Sequence, residues 1–356
     1  MSTALEPVLL LLAAAVMVVI LFRTLYLPPV IGYLLVGALV GPHALALIPD
    51  NEGTRHLAEF GVVFLMFTIG LEFSLSHLYS MKRLVFGLGS AQVALTILAT
   101  LLLAGLADFH WQTALALGGA LAMSSTAVAS KLLIERGELD SPHGRQIMGV
   151  LLFQDIAVVP LLILLPALSG HRDALADTLL VAGIKAVVVL VLVLFFGQRL
   201  MRGWFTLVAR RKSTELFILN VLLITLGLAW VTEKAGLSLA LGAFLAGMLI
   251  SETEYRFKVE EDIKPFRDVL LGLFFVTVGM YLDPFMIGRD FLLVLALLAG
   301  LLLLKLLVVF VLSRLLGAPA GVALRTGLWL CAGGEFGFVL LTLGFEQGLI
   351  SSPVAQ

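Results

Sequence analysis

The sequence predicts an all-α polytopic membrane protein built on an inverted repeat, and three observations carry that prediction. Of its 356 residues, 60% are hydrophobic and only 13% charged, whereas a water-soluble domain carries about 25% charged residues. The apolar residues gather into twelve runs, most of a length to cross a bilayer as a helix, which takes about 20 residues. Two glycine motifs recur in the same order at offsets of 210 and 209 residues.

Mean hydropathy is +1.09, so lipid rather than water is the main solvent. The formal net charge of −1 says nothing about a nucleic-acid partner, but no basic patch is present and no such partner is expected. One cysteine, Cys331, cannot form an internal disulfide. The start MSTALEP lacks the positive charge of a signal peptide, so the first run reads as a retained helix.

Along the chain the runs fall near residues 7–23, 29–41, 58–73, 84–107, 113–134 and 146–167, then 178–198, 215–231, 237–250, 268–283, 291–313 and 322–345. Charged or Gly/Pro segments separate them. The runs at 29–41, introduced by Pro28-Pro29, and at 237–250 are short; closely packed protein neighbours would accommodate them.

Placing the N-terminus outside puts sixteen basic residues in inner loops, among them Arg145, Arg210, Arg211, Lys212, Arg314 and Arg325. Only Arg55, Arg172, Lys234 and Arg289 then lie outside. Basic residues favour the cytoplasmic side, so this orientation is expected, with residue 356 also outside.

The stretch Gly32-Tyr-Leu-Leu-Val-Gly37-Ala-Leu39 matches Gly242-Ala-Phe-Leu-Ala-Gly247-Met-Leu249 as GxxLxGxL. Phe67-Thr-Ile-Gly70 resembles Val276-Thr-Val-Gly279. Seven spans separate the copies, so the second runs inverted across the membrane, as in secondary transporters. The first repeat is 7–167, a linker helix covers 178–198, and an incomplete second repeat covers 215–345. The offset carries Asp155 to position 365, so a thirteenth helix is expected beyond residue 356.

Few charges lie deep in the runs, where they are expensive. Asp155 is ten residues from Arg145, Lys305 nine from Arg314 and Glu335 ten from Arg325. At a rise of 1.5 Å per residue, each reaches about 13–15 Å into a core of about 30 Å. An acid, a base and a second acid are thus expected at one level, with Lys305 and Glu335 as charge partners around Asp155. The plain alternative is an ion pair that only locks the bundle. Gly118-Gly119-Ala-Leu-Ala-Met-Ser124-Ser125-Thr126-Ala-Val-Ala-Ser130 and Cys331-Ala-Gly333-Gly334-Glu335-Phe-Gly337 align at the same offset. Both read as helices broken halfway, tolerated at this depth only beside a cavity, or else as close packing of small residues.

Gly149-Val-Leu-Leu-Phe-Gln154-Asp155-Ile-Ala-Val-Val-Pro160 resembles the ion-binding helix of Kef-type potassium/proton antiporters, in the cation:proton antiporter-2 family. So do Met123-Ser-Ser-Thr-Ala-Val128, Gly70-Leu-Glu72, Asp262-Ile-Lys-Pro-Phe266, Leu271-Gly-Leu-Phe-Phe275, Val278-Gly-Met280 and Gly334-Glu-Phe-Gly-Phe338. The resemblance runs over nearly the whole chain. It implies the sodium/proton-antiporter fold, with two crossed broken helices, a dimerisation scaffold and a mobile core around 58–167 and 268–345. It also implies a monovalent cation and proton site at Asp155, Gln154, Ser125 and Thr126, with Lys305 as charge partner, in a homodimer. Gln154-Asp155 stands where sodium-selective relatives carry Asp-Asp or Asn-Asp, which favours K⁺ over Na⁺. The cytoplasmic regulatory domain of Kef-type systems has no counterpart here, and Glu260, Glu261 and Asp262 resemble the loop that it works on. A solvated turn is the plain reading of that loop.

The expected function is therefore secondary antiport of a monovalent cation against H⁺ in the inner membrane, by an elevator-type mechanism, without a cofactor. A Na⁺/H⁺ antiporter of the same fold and a gated K⁺ efflux channel are the alternatives. An intramembrane aspartyl protease needs two deep aspartates, and only Asp155 qualifies. The six histidines show no ligand spacing, and no P-loop is present. An enzyme is not expected, and the role of Glu72 is open.

Overall fold

The computed structural model describes residues 16–22, 29–47, 52–72, 79–168, 203–208 and 213–350, with single or paired positions at 13, 24, 181, 184–185, 188, 197, 201 and 210–211. Among these every regular element is helical. In chain order they are α1 Pro29–Val40, α2 Glu52–Glu72, a π-helical stretch Leu84–Gly89 leading into α3 Ser90–Leu106, α4 Trp111–Ala122, α5 Thr126–Glu135 and α6 Pro142–Leu168. After these come α7 Thr214–Lys234, α8 Leu239–Ser251, α9 Arg256–Met280, α10 Pro284–Arg289, α11 Phe291–Leu315, α12 Ala320–Leu330 and α13 Glu335–Glu346.

The spans expected at 7–23 and 178–198 fall mostly outside the described residues. A helix or a broken pair meets each of the other ten. Leu84–Leu106, Pro142–Leu168, Thr214–Lys234 and Phe291–Leu315 are long and apolar enough to cross a bilayer, and the α12/α13 pair, bent by 47°, makes a fifth if counted as one. Local chemistry sets the ends. Ser213 and Ser238 accept the Leu216 and Leu241 amides at the starts of α7 and α8. Gly236 and Gly317 take φ of +82° and +87° just past α7 and α11, a left-handed turn that favours glycine.

One expectation is corrected. The acidic stretch Glu260-Glu261-Asp262 is not a loop; it lies inside α9, which begins at Arg256 rather than near 268. Val259 and Ile263, one turn apart, are both buried, so the first turns of α9 are amphipathic. Such turns lack the uniform apolarity of a membrane-spanning run. Pro265 is tolerated within α9, although its missing N–H leaves the Glu261 carbonyl without a helical donor.

The chain divides into two compact units, one of Met1–Glu72, Val188–Phe291 and Ser352–Gln356, the other of Phe73–Val187 and Leu292–Ser351. In the first, α1 packs on α9 and α2 on α8. The repeated glycines explain both pairings. A Cβ on Gly37 would lie 1.9 Å from the Val276 oxygen and one on Gly279 2.2 Å from the Leu34 oxygen. Reciprocally, a Cβ on Gly70 would lie 2.1 Å from the Phe244 oxygen and one on Gly247 2.0 Å from the Phe67 oxygen. Each glycine of one copy thus meets the other copy where only a hydrogen leaves room for contacting backbones. Helix α8 is buried from Ala240 to Ile250 without a break, so its 13 residues need not match the hydrocarbon thickness.

In the second unit α6 is central, packing against the π-helical stretch and against α3, α4, α5, α12 and α13. Of the four long apolar helices it is the most enclosed, and α11 the least. Leu292, Leu295, Leu298, Leu303 and Leu307 of α11 are exposed, as a lipid-facing surface requires. Its inner side buries Lys305, Val309, Leu312 and Ser313.

Candidate functional site

Both expected breaks are present, and both lie in the second unit. Helix α4 stops at Ala122, Met123 and Ser125 take extended backbone (ψ 144° and 111°), and α5 restarts at Thr126. Helix α12 stops at Leu330 and α13 restarts at Glu335 behind an extended Gly334. The breaks touch. A Cβ on Gly334 would lie 2.4 Å from the Ser124 carbonyl carbon and 2.6 Å from the Ser125 nitrogen, so this contact tolerates no side chain.

A break strips backbone groups of helical partners, and in an apolar setting each must be satisfied otherwise. Lys305, fully buried on α11, donates to the Met123 oxygen (2.8 Å), the Ser124 hydroxyl (3.0 Å) and the Ala332 oxygen (2.9 Å). One ammonium thereby serves both breaks, at the C-terminal ends of α4 and α12, where the helix dipoles are negative. Ser124 in turn donates from its hydroxyl to the Leu330 oxygen at 2.8 Å. Gln154 accepts the Ser124 amide at 2.7 Å and donates to Gln92 Oε1 at 2.8 Å. Gln92 donates to the Ala122 oxygen and to Thr96 Oγ1, both at 3.2 Å.

Asp155 follows Gln154 on α6 and is 8% exposed. The Thr126 hydroxyl donates to its Oδ1 at 3.0 Å. Ser125 caps α5 by accepting the Val128 amide at 3.4 Å. The carboxylate therefore meets the first residue of a half-helix, the end whose free N–H groups and dipole favour negative charge. Glu335 opens α13 in the equivalent position. Pro160 within α6 leaves the Ile156 carbonyl, next to Asp155, without its helical donor.

The structure thus gathers Gln154, Asp155, Ser125 and Thr126 at the α4/α5 break, and brings Lys305 and Gly334 to the same crossing. Helical depth suggests Lys305 as the partner of Asp155; its ammonium donates to three oxygens of the two breaks. Depth along a helix axis gives no azimuth. The acidic stretch 260–262 belongs to the other unit; there Asp262 Oδ2 is buried without a hydrogen-bond partner. Gln92 belongs to none of the sequence motifs. Its signal is an amide alone in the apolar stretch Ala91–Leu95, where an unpartnered polar group would be costly. Among the described residues no three His, Cys, Asp or Glu side chains converge as a metal cluster.

Comparison with known proteins places the fold and the family. A family described as "Sodium/hydrogen exchanger, transmembrane" matches residues 10–356. The chain is 46% identical over 336 residues to "K(+) efflux antiporter 1, chloroplastic" of Arabidopsis thaliana, covering 92% of this chain and 28% of that protein. It is 44% identical over 349 residues to "Putative K(+) efflux antiporter KefB" of Alkalimonas amylolytica, covering 98% of this chain and 53% of that one. The chain therefore spans about half or less of the length of these relatives. In fold it resembles the sodium proton antiporter MjNhaP1 of Methanocaldococcus jannaschii, with a TM-score of 0.71 at 18% identity over 96% of this chain and 85% of that one.

Proposed function

Because the chain belongs to the sodium/hydrogen exchanger family, we propose that it exchanges a monovalent cation for protons at Asp155, with K⁺ favoured over Na⁺. The observation that carries the reading is a carboxylate enclosed in protein and held by Thr126 at the break of a helix. A proton needs one carboxylate oxygen. A dehydrated cation needs several oxygens at once, and unwound backbone beside Asp155 is their natural source. Proton and cation then compete for one charge, and exchange follows if only the loaded forms cross the membrane.

Lys305 donates to the carbonyl ends of the half-helices, and Asp155 supplies the negative charge for the transported ion. Gln154 is neutral and engaged with Ser124. The Gln-Asp pair therefore holds one negative charge, which suits a large, weakly hydrated ion, and the relatives named as K(+) efflux antiporters support the same choice. The movement is an elevator-type alternation. Its mobile body centres on residues 73–167 and 292–345, common to the expected core and to the compact unit that holds the site. The protein is a multi-pass membrane protein; we place it in the inner membrane as a homodimer, N-terminus outside. The deciding experiment is proton flux in liposomes of purified protein challenged with K⁺, Na⁺ or Li⁺. Na⁺-driven flux several-fold above K⁺-driven flux would overturn the selectivity, and single-channel current steps would overturn antiport itself.

A further inference from the structure

We infer that Gln92 is a positioning residue for the cation site, acting through Gln154 on the unwound segment Met123–Ser125; the inference rests on the antiport reading above. The α4/α5 break takes the Ala122 carbonyl and the Ser124 amide out of the helical ladder. Two side-chain amides join them again. The Ser124 N–H donates to Gln154 Oε1 (2.7 Å), Gln154 Nε2 to Gln92 Oε1 (2.8 Å) and Gln92 Nε2 to the Ala122 oxygen (3.2 Å). Both glutamines are fully buried, and the second donor of Gln92 is held by Thr96 Oγ1. The approach of Gln92 to α6 is set by the π-helical stretch that precedes it. A Cβ on Gly89 would lie 2.5 Å from the Phe153 Cβ, and one on Gly149 2.7 Å from the Leu84 Cβ.

The break is thus fastened to α6 at two successive residues, Ser124 to Gln154 and Thr126 to Asp155. Gln92 holds the first fastening. Freeing it lets the unwound segment drift against the carboxylate. Cation binding suffers from that drift, because it needs several oxygens in one geometry. Proton binding does not, because it needs one. Loss of Gln92 therefore falls on one side of the competition.

The test is K⁺/H⁺ exchange in liposomes by Gln92→Met, which matches the volume and removes both halves of the amide. The apparent KM for K⁺ is expected to rise roughly threefold to tenfold, the range that one or two interhelical hydrogen bonds supply, with the maximal rate within about twofold. At fixed K⁺ the pH of half-maximal exchange moves alkaline, by about one unit for a tenfold weaker cation when one proton competes with one ion. A role in stability alone would lower the amount of active protein and move neither quantity. Gln92→Met/Gln154→Met is expected to be no worse than Gln154→Met, since the first acts through the second. Should Gln92→Met not yield monodisperse protein, Gln92→Asn, one methylene too short to reach Gln154, carries the same expectation. A wild-type KM and pH midpoint in these variants, or additive effects in the double variant, would overturn the inference. Asp155→Asn separates the two readings. Exchange surviving there overturns antiport at Asp155, whereas exchange lost there beside an unchanged Gln92→Met overturns only the role of Gln92.

Discussion

Asp155→Asn keeps the shape of the side chain and can still meet the Thr126 hydroxyl, but it cannot titrate. Exchange in liposomes is expected to fall to background while the protein stays folded, as read by size exclusion. Lys305→Met acts differently. It removes the donor that both breaks share and leaves the Met123 and Ala332 carbonyls without it. Interhelical hydrogen bonds in membranes contribute about 0.6 kcal/mol on average and up to about 1.7, so losing three predicts a destabilisation of about 2–5 kcal/mol. A clear drop in the apparent melting temperature in detergent is the expected measurement. An unchanged melting temperature combined with an altered pH profile would instead mark the lysine as a partner of the carboxylate. That distinction rests on where the ammonium points, which counting residues from the end of a helix does not reveal.

At the scale of elements, the crossing of the two broken helices depends on glycine at one position. Gly334→Ala would place a methyl 2.4 Å from the Ser124 carbonyl carbon, and relief requires moving backbone rather than the tip of a side chain. Forcing an extra methylene into packed structure costs about 1–3 kcal/mol, and here the strain falls on the site itself. Gly334→Ala is therefore expected to abolish exchange and lower the melting temperature. Gly300→Ala in α11 is the matched control. A Cβ there meets nothing within 4 Å, and alanine favours a helix by about 0.8–1.0 kcal/mol over glycine. Exchange at wild-type rate in Gly334→Ala would show that the breaks do not need their present contact. The breaks were legible in the sequence because glycine and hydroxyl residues cluster there. The helical start of α9 was not, since charged and apolar residues alternate around those turns.

At the scale of the molecule, the sixteen-to-four bias of basic residues predicts that Arg210–Lys212 face the cytoplasm. Cys331 is the one native cysteine, so a Cys331→Ser background allows a reporter cysteine at position 210. It is expected to react in intact cells with a permeant maleimide and not with an impermeant one; the opposite labelling would invert the topology. Competition at a single carboxylate also predicts that exchange at fixed K⁺ rises with pH, and that its midpoint moves to lower pH as K⁺ is raised. A midpoint independent of K⁺ would mean that proton and cation bind at separate places.

Run length, charge bias, the recurrence of GxxLxGxL and two clusters of glycine and hydroxyl residues are enough to specify a helical membrane protein, its repeat, its two breaks and the one deep aspartate. These depend on local composition and on spacing along one chain, and lipid leaves the backbone few alternatives to the helix. Only the folded protein decided that Lys305 serves the carbonyls of both breaks and that Gln92 completes a ring through Gln154. Lys305 and Met123 are 182 positions apart, and Gln154 and Gln92 are 62. Which oxygen a buried donor finds depends on the rotation and approach of separate helices to within an ångström, a quantity that belongs to their packing and not to any one segment.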